Sequence, residues 1–80
     1  MTNKDQYDNI FMEAFSIEKS QIDETLEYES IQEWDSIGHM TLVGMIEDAF
    51  EISMDLDDII ELSSYNKGIE ILSEKYEIRI

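Results

Sequence analysis

Few side chains in this sequence are equipped for chemistry. There is no cysteine and a single histidine, His39, which follows Asp35 and Ser36 in the run Trp34-Asp35-Ser36-Ile37-Gly38-His39-Met40. Residues three apart on a helix are neighbours, so an imidazole could reach the Ser36 hydroxyl. Nucleophilic catalysis would also need a group that fixes the ring, donors for an oxyanion and a pocket that excludes water. Eighty residues without an oxyanion-hole glycine motif leave little room for these, and autonomous catalysis is not expected. On a helical wheel His39 falls near the core-side stripe, as a packed or rim histidine would. The acids Asp55, Asp57 and Asp58 suggest a calcium loop, but a loop starting at Asp55 requires Gly at position 60 and Glu at 66. Ile60 and Asn66 stand there. Weak nonspecific divalent binding along the acidic face is the most that cluster supports, and no metal site is expected.

Ser36 itself remains. It stands where a helix is predicted to begin, and the first N–H groups of a helix have no intrahelical acceptor while its dipole favours negative charge. A phosphate esterified to this hydroxyl would be well placed. The plainer use of the position is as an N-cap, by Asp35 or Ser36, and spacing alone leaves both open.

Three amphipathic helices must position these residues. Tyr7, Ile10, Phe11, Ala14 and Phe15 form one stripe, capped by Thr2, Asn3 or Asp5. Leu42, Val43, Ile46, Ala49 and Phe50 form the second, and Tyr65, Ile69, Leu72 and Tyr76 the third, capped by Ser63 or Ser64. Asp55 or Asp57 can cap a short turn carrying Leu56, Ile59, Ile60 and Leu62. The terminal Tyr76-Glu77-Ile78-Arg79-Ile80 alternates, but a lone strand has nothing to pair with, and a frayed or packed tail is expected. The segment from Ile17 to Trp34 is long for a connection, and Ile22, Leu26, Tyr28, Ile31 and Trp34 are expected to pin it across the bundle. The expectation is an all-α fold: a small four-helix bundle of three main helices and one short one, with a long loop after the first, forming a single domain over residues 1–80.

The formal net charge is −15, from twenty Asp and Glu against five Lys and Arg. No Lys or Arg falls between Ser20 and Asn66, a span with thirteen acids. Such a field repels nucleic acid and anionic membranes and attracts basic patches on proteins. Solubility alone would not require clearing one stretch of every cation, which favours a basic protein partner. On the second helix, Ile37, Met40, Thr41, Gly44, Glu47, Asp48 and Glu51 share the face opposite the core stripe. Apolar residues beside Ser36 giving way to acids is the composition of a docking surface, provided Ile37 and Met40 are not tucked under the loop. Met1 to Phe15 shows no signal-peptide pattern and no window approaches a membrane span, so a cytoplasmic monomer is expected.

Asp35-Ser36-Ile37, preceded by Trp34 and followed by Gly38 to Met54, resembles the Asp-Ser-Leu motif and second helix of acyl carrier proteins. The stretch from Asp55 to Leu72 resembles the short third helix and start of the fourth in that family. The resemblance implies a four-helix bundle and a non-catalytic carrier. It implies that a phosphopantetheinyl transferase, using coenzyme A and Mg²⁺, attaches 4′-phosphopantetheine to Ser36, with Asp35 as part of the motif. The arm would carry acyl or aminoacyl groups as thioesters. Acyl-loading and acyl-using enzymes would dock through basic patches on the second helix, at Ile37, Met40, Thr41, Glu47, Asp48 and Glu51. Ile37, Gly38, His39, Thr41, Gly44 and Asp55 depart from the pattern of fatty-acid-synthesis members, and Trp-Asp-Ser followed by His resembles stand-alone carriers of dedicated pathways. The alternative from another class is an acidic helical interaction module that uses the same face without a prosthetic group.

Charge density makes one prediction. Crowded like charges destabilise a small body, and salt screens them. The unmodified protein should melt at a higher temperature in roughly 200 mM salt, or in a few mM Mg²⁺, than in low-salt buffer; an unchanged melting temperature would discount self-repulsion.

Overall fold

A computed structural model describes all residues, 1–80. It is all-helical, with α1 at Asn3–Phe15, α2 at Ser36–Phe50, α3 at Leu56–Glu61 and α4 at Tyr65–Lys75. A 3₁₀ turn at Lys19–Gln21 interrupts the long connection after α1. No strand forms; the only strand-like pairing is an isolated bridge between Glu27 and Ser64.

Each main helix starts where a side chain can take up an orphan N–H. Thr2 and Asp5 make a reciprocal capping box at α1, and Ser64 accepts from the Lys67 amide at α4. Of the caps open in the sequence, Thr2 and Ser64 are the ones used. Asp55 precedes α3 without a side-chain capping bond. No glycine ends α1 or α2; Ser16 and Glu51 adopt the left-handed conformation there, and their amides reach back to the Met12 and Glu47 carbonyls.

The core gathers Tyr7, Ile10, Phe11 and Phe15 from α1, Leu42, Val43 and Ile46 from α2, and Tyr65, Ile71 and Leu72 from α4, with Leu62 just after α3. The expected α4 stripe shifts: Ile69 and Tyr76 are only half-buried, while Gly68 and Ile71 face inward. The reason is a close approach. The Tyr7 hydroxyl donates to the Tyr65 carbonyl at 2.7 Å and occupies the space a Cβ on residue 68 would need, with Leu62 Cδ1 only 2.8 Å from that point. Any side chain at Gly68 would displace the α1–α4 contact. Of the apolar residues expected on this short turn, Ile59 is half-buried and Leu62, just after α3, is buried, while Leu56 and Ile60 stand exposed. The helix turns Asp58, with Leu62 just beyond its end, toward the bundle, and at 100° per residue Leu56 and Ile60 then fall on the outer side.

The long loop is pinned by Ile17, Leu26 and Trp34, all buried, with Ile22 and Ile31 half-buried. Tyr28 is the exception, an exposed aromatic rather than a pin. Main-chain bonds tie this loop to the α3–α4 junction, from Tyr28 N–H to Ser63 O at 2.8 Å and from Tyr65 N–H to Leu26 O at 2.9 Å. The C-terminal tail packs: Ile78 and Ile80 lie half-buried against the core, and the Ile78 amide donates to the Leu72 carbonyl at 2.9 Å.

Two buried carboxylates went unforeseen. Asp8 accepts from Lys4 at 2.9 Å and also from the Tyr65 hydroxyl, joining α1 to α4. Asp58 accepts from Lys75 at 2.7 Å and from the Tyr76 hydroxyl at 2.6 Å, and that hydroxyl in turn accepts the Asp55 amide at 2.9 Å. The second cluster fastens the start of α3 to the end of α4. It also takes Asp58 out of any calcium loop, and no group of three or more candidate ligands stands together anywhere in the structure.

The Lys75 ammonium, and after it the Tyr76 hydroxyl, hold the Asp58 carboxyl below the usual carboxylate range. The sign follows from linkage. The stabilisation is complete above the unfolded-state value of about 3.9 and is lost as pH falls through the lower folded-state value. Asp58→Asn should therefore melt below the wild type at neutral pH, with the gap narrowing in paired thermal melts taken progressively below pH of about 4. A gap that persisted in acid would assign the cost to packing rather than charge.

Candidate functional site

The first turn of α2 is assembled by the residue before it. Asp35 is the N-cap, its Oδ1 accepting the Gly38 amide at 2.8 Å, while the His39 amide bonds the Asp35 carbonyl at the same distance. Ser36 is thereby released from the capping role that the sequence left open. It occupies the first helical position and is exposed. The chain reaches this turn across Gly38: a Cβ there would collide with the Glu33 carbonyl oxygen, so glycine lets the loop lie against the helix.

The Ser36 Oγ makes a 3.1 Å hydrogen bond with the Tyr28 hydroxyl. It makes none with His39, whose two ring nitrogens are both engaged elsewhere. The Trp34 indole, which can only donate, bonds His39 Nδ1 at 3.0 Å. His39 Nε2 therefore carries the proton and donates to the Ile59 carbonyl at 2.8 Å. The Ser–His contact that helical spacing allowed is absent, and the histidine acts as a strut from the loop through α2 to α3.

Beside Ser36 a groove of about 360 Å³ runs between α2 and α3. Tyr28, Ser36, His39, Met40, Leu56, Ile59, Ile60 and Leu62 line it, without a single charged side chain. Around its mouth Ile37 is 79% exposed, Met40 55%, Leu56 70% and Ile60 69%. Neither Ile37 nor Met40 is tucked under the loop. Monomeric proteins of this size seldom leave so many large apolar side chains together in water.

The remaining residues expected to face a partner divide into two groups. Thr41 is exposed near Ser36, its hydroxyl bonded back to the Ile37 carbonyl at 3.2 Å. Asp48 and Glu51 are exposed toward the opposite end of α2, with Glu51 about 22 Å along the helix from Ser36. Glu47 is half-buried and turns its carboxylate to the Met54 amide at 2.8 Å, bracing the turn after α2. Its fold role competes with any docking role, which the helical wheel could not reveal. The residues missed in the sequence are Tyr28, Leu56 and Ile60. Tyr28 reads as a pin of the loop, and Leu56 and Ile60 only as members of a short turn, because nothing local tells an apolar residue that packs inward from one that lines a groove.

Comparison with protein families closes the case for the family. The description "Phosphopantetheine attachment site" matches residues 9–72, most of the chain. The chain belongs to this family. Its members are non-catalytic carriers that need modification, and they hold 4′-phosphopantetheine covalently. Comparison with curated proteins and with solved structures returned no significant match.

The local structure fits that group. An exposed hydroxyl, open N-terminal amides of a helix and a phenol hydroxyl suit an attached phosphodiester, and the uncharged groove beside it suits an apolar extension.

The His39 strut yields a prediction. His39→Ala leaves the Trp34 N–H and the Ile59 carbonyl without their partner and should cost about 1–3 kcal/mol in urea unfolding. Hydrogen exchange should speed up in α3 more than in α1; uniform acceleration would deny the strut its local role.

Proposed function

We propose that residues 1–80 act as one acyl-carrier domain with Ser36 as the attachment point. A phosphopantetheinyl transferase would supply the arm from coenzyme A: the serine O–H gives up its proton, a bond forms between Oγ and phosphorus, and the bond from that phosphorus to the adenosine-bearing phosphate breaks. The thiol at the end of the arm, when attached, carries acyl groups as thioesters. The observation that carries the reading is the position of Ser36 Oγ, exposed on the first turn of α2 at the mouth of an apolar groove.

The groove also favours an acyl over an aminoacyl cargo. Its lining offers Met40, Leu56, Ile59, Ile60 and Leu62 and no carboxylate to meet an ammonium group. Partner enzymes would dock on the exposed apolar cluster of Ile37, Met40, Leu56 and Ile60, with acids rather than cations around them. Glu33, Asp35, Asp55 and Asp57 are all exposed near the starts of α2 and α3, Glu61 is exposed at the end of α3, and Asp48 and Glu51 extend the acidic rim along α2. A basic patch on the partner answers this pattern, and long-range attraction would speed the encounter at low salt. Thr41 borders the apolar centre, and Glu47 contributes only so far as its bond to Met54 leaves it free.

Incubation with coenzyme A, Mg²⁺ and a broad-specificity transferase, followed by intact mass spectrometry, tests the reading. The wild type should gain roughly 340 Da and Ser36→Ala nothing. An unmodified wild type would instead favour an interaction module that works without a prosthetic group.

A further inference from the structure

Tyr28 lies on the long loop, where the expected pins turn into the core, yet it stays exposed with its hydroxyl 3.1 Å from Ser36 Oγ. Three contacts hold it there. Its amide donates to the Ser63 carbonyl, the nearby Leu26 carbonyl takes the Tyr65 amide, and its ring stands edge-on to His39 with centroids 5.7 Å apart. His39 is itself fixed at both nitrogens. The phenol is thus preorganised over the hydroxyl that, on the reading above, becomes esterified.

We propose that Tyr28 is the positioning residue for the phosphodiester on Ser36, its phenol donating to a phosphate oxygen and turning the arm toward the groove between α2 and α3. The inference rests on Ser36 as the attachment point. Esterification removes the serine proton, so the phenol can then serve this contact only as donor, and anionic phosphate oxygens beside it are stronger acceptors than an ester oxygen. The charge there has no cation to meet it. None of the five Lys and Arg residues lines the groove: Lys4 and Lys75 are committed to Asp8 and Asp58, Lys67 pairs with Glu70, Lys19 lies in the 3₁₀ turn after α1, and Arg79 lies in the tail beside the start of α1. Asp35 adjoins in sequence and is anionic, so neutral donors must hold the phosphate: the open amides of the first turn and the Tyr28 hydroxyl. The ring that carries this hydroxyl is also a wall of the groove, which couples the direction of the arm to the space that would receive its cargo.

Tyr28→Phe keeps the ring and its edge contact with His39 and deletes only the hydroxyl. Wild type and variant are modified with coenzyme A and transferase, checked by intact mass, and compared by ³¹P NMR with no partner enzyme present. Both should gain the mass of the arm. In the variant the ³¹P resonance should move toward that of free phosphopantetheine and sharpen as the phosphate gains mobility, and the two signals should coincide in urea. Tyr28→Leu, which keeps an apolar wall, should reproduce the phenylalanine signal and guards against an effect peculiar to one substitution. Modified proteins with identical native signals would overturn the role of Tyr28 while leaving the attachment reading intact. A wild type that takes up no arm would overturn both.

Discussion

The structure depends on burying Trp34. This side chain is fully inaccessible, stacked on Phe15 with ring centroids 5.1 Å apart and edge-on to Phe11 at 5.6 Å. Burial of an aromatic this large contributes on the order of 5 kcal/mol of gross hydrophobic free energy, which offsets part of the conformational entropy lost in ordering the connection. Trp34 also has a polar edge that must be satisfied inside the protein. Its indole N–H goes to His39, and the other nitrogen of that ring goes to α3. A single buried residue thus fixes the loop end, the rotation of α2 and the position of α3. Asp35 and Ser36 follow it directly in the chain, so the cap and the exposed hydroxyl are placed by the same anchor.

Electrostatics divides the molecule into two ends. Two of the five cations are spent on buried carboxylates at the helix junctions, Lys4 on Asp8 and Lys75 on Asp58. Each carboxylate also accepts from a tyrosine hydroxyl, so both its oxygens are satisfied where an unpaired buried charge would be costly. Burial and the bond to Asp8 in turn push the Tyr65 hydroxyl above its usual range. The groove beside Ser36 is left without a Lys or Arg, among exposed acids, apolar side chains and neutral hydroxyls. The distribution that secures the helix junctions therefore also leaves a face that only a basic or apolar surface can approach without penalty.

Much of this was legible in the residues. Amphipathic spacing marked α1, α2 and α4, and the caps Thr2, Asp35 and Ser64 fell among the positions that helix-start chemistry allowed. The apolar and acidic make-up of one face of α2 was visible on a wheel, because the position of each side chain around one helix follows from its number. The residues that departed from expectation did so for reasons a single helix cannot hold. Glu47 braces the chain after α2 because Met54 comes back to meet it. Asp58 is buried because Lys75 and Tyr76 arrive from the far end of the chain. Leu56 and Ile60 are exposed because α3 turns Asp58 inward to those partners, which puts the two apolar side chains on its outer side.

By itself, then, the sequence determined the helices, the strong negative charge and a serine at a helix start, all of which are local or additive properties of the chain. Tertiary structure decided which hydroxyl meets that serine, which histidine nitrogen faces which helix and where an apolar groove remains open. Those outcomes require residues distant in sequence to compete for the same space and the same hydrogen-bond partners, and only the packed chain settles that competition.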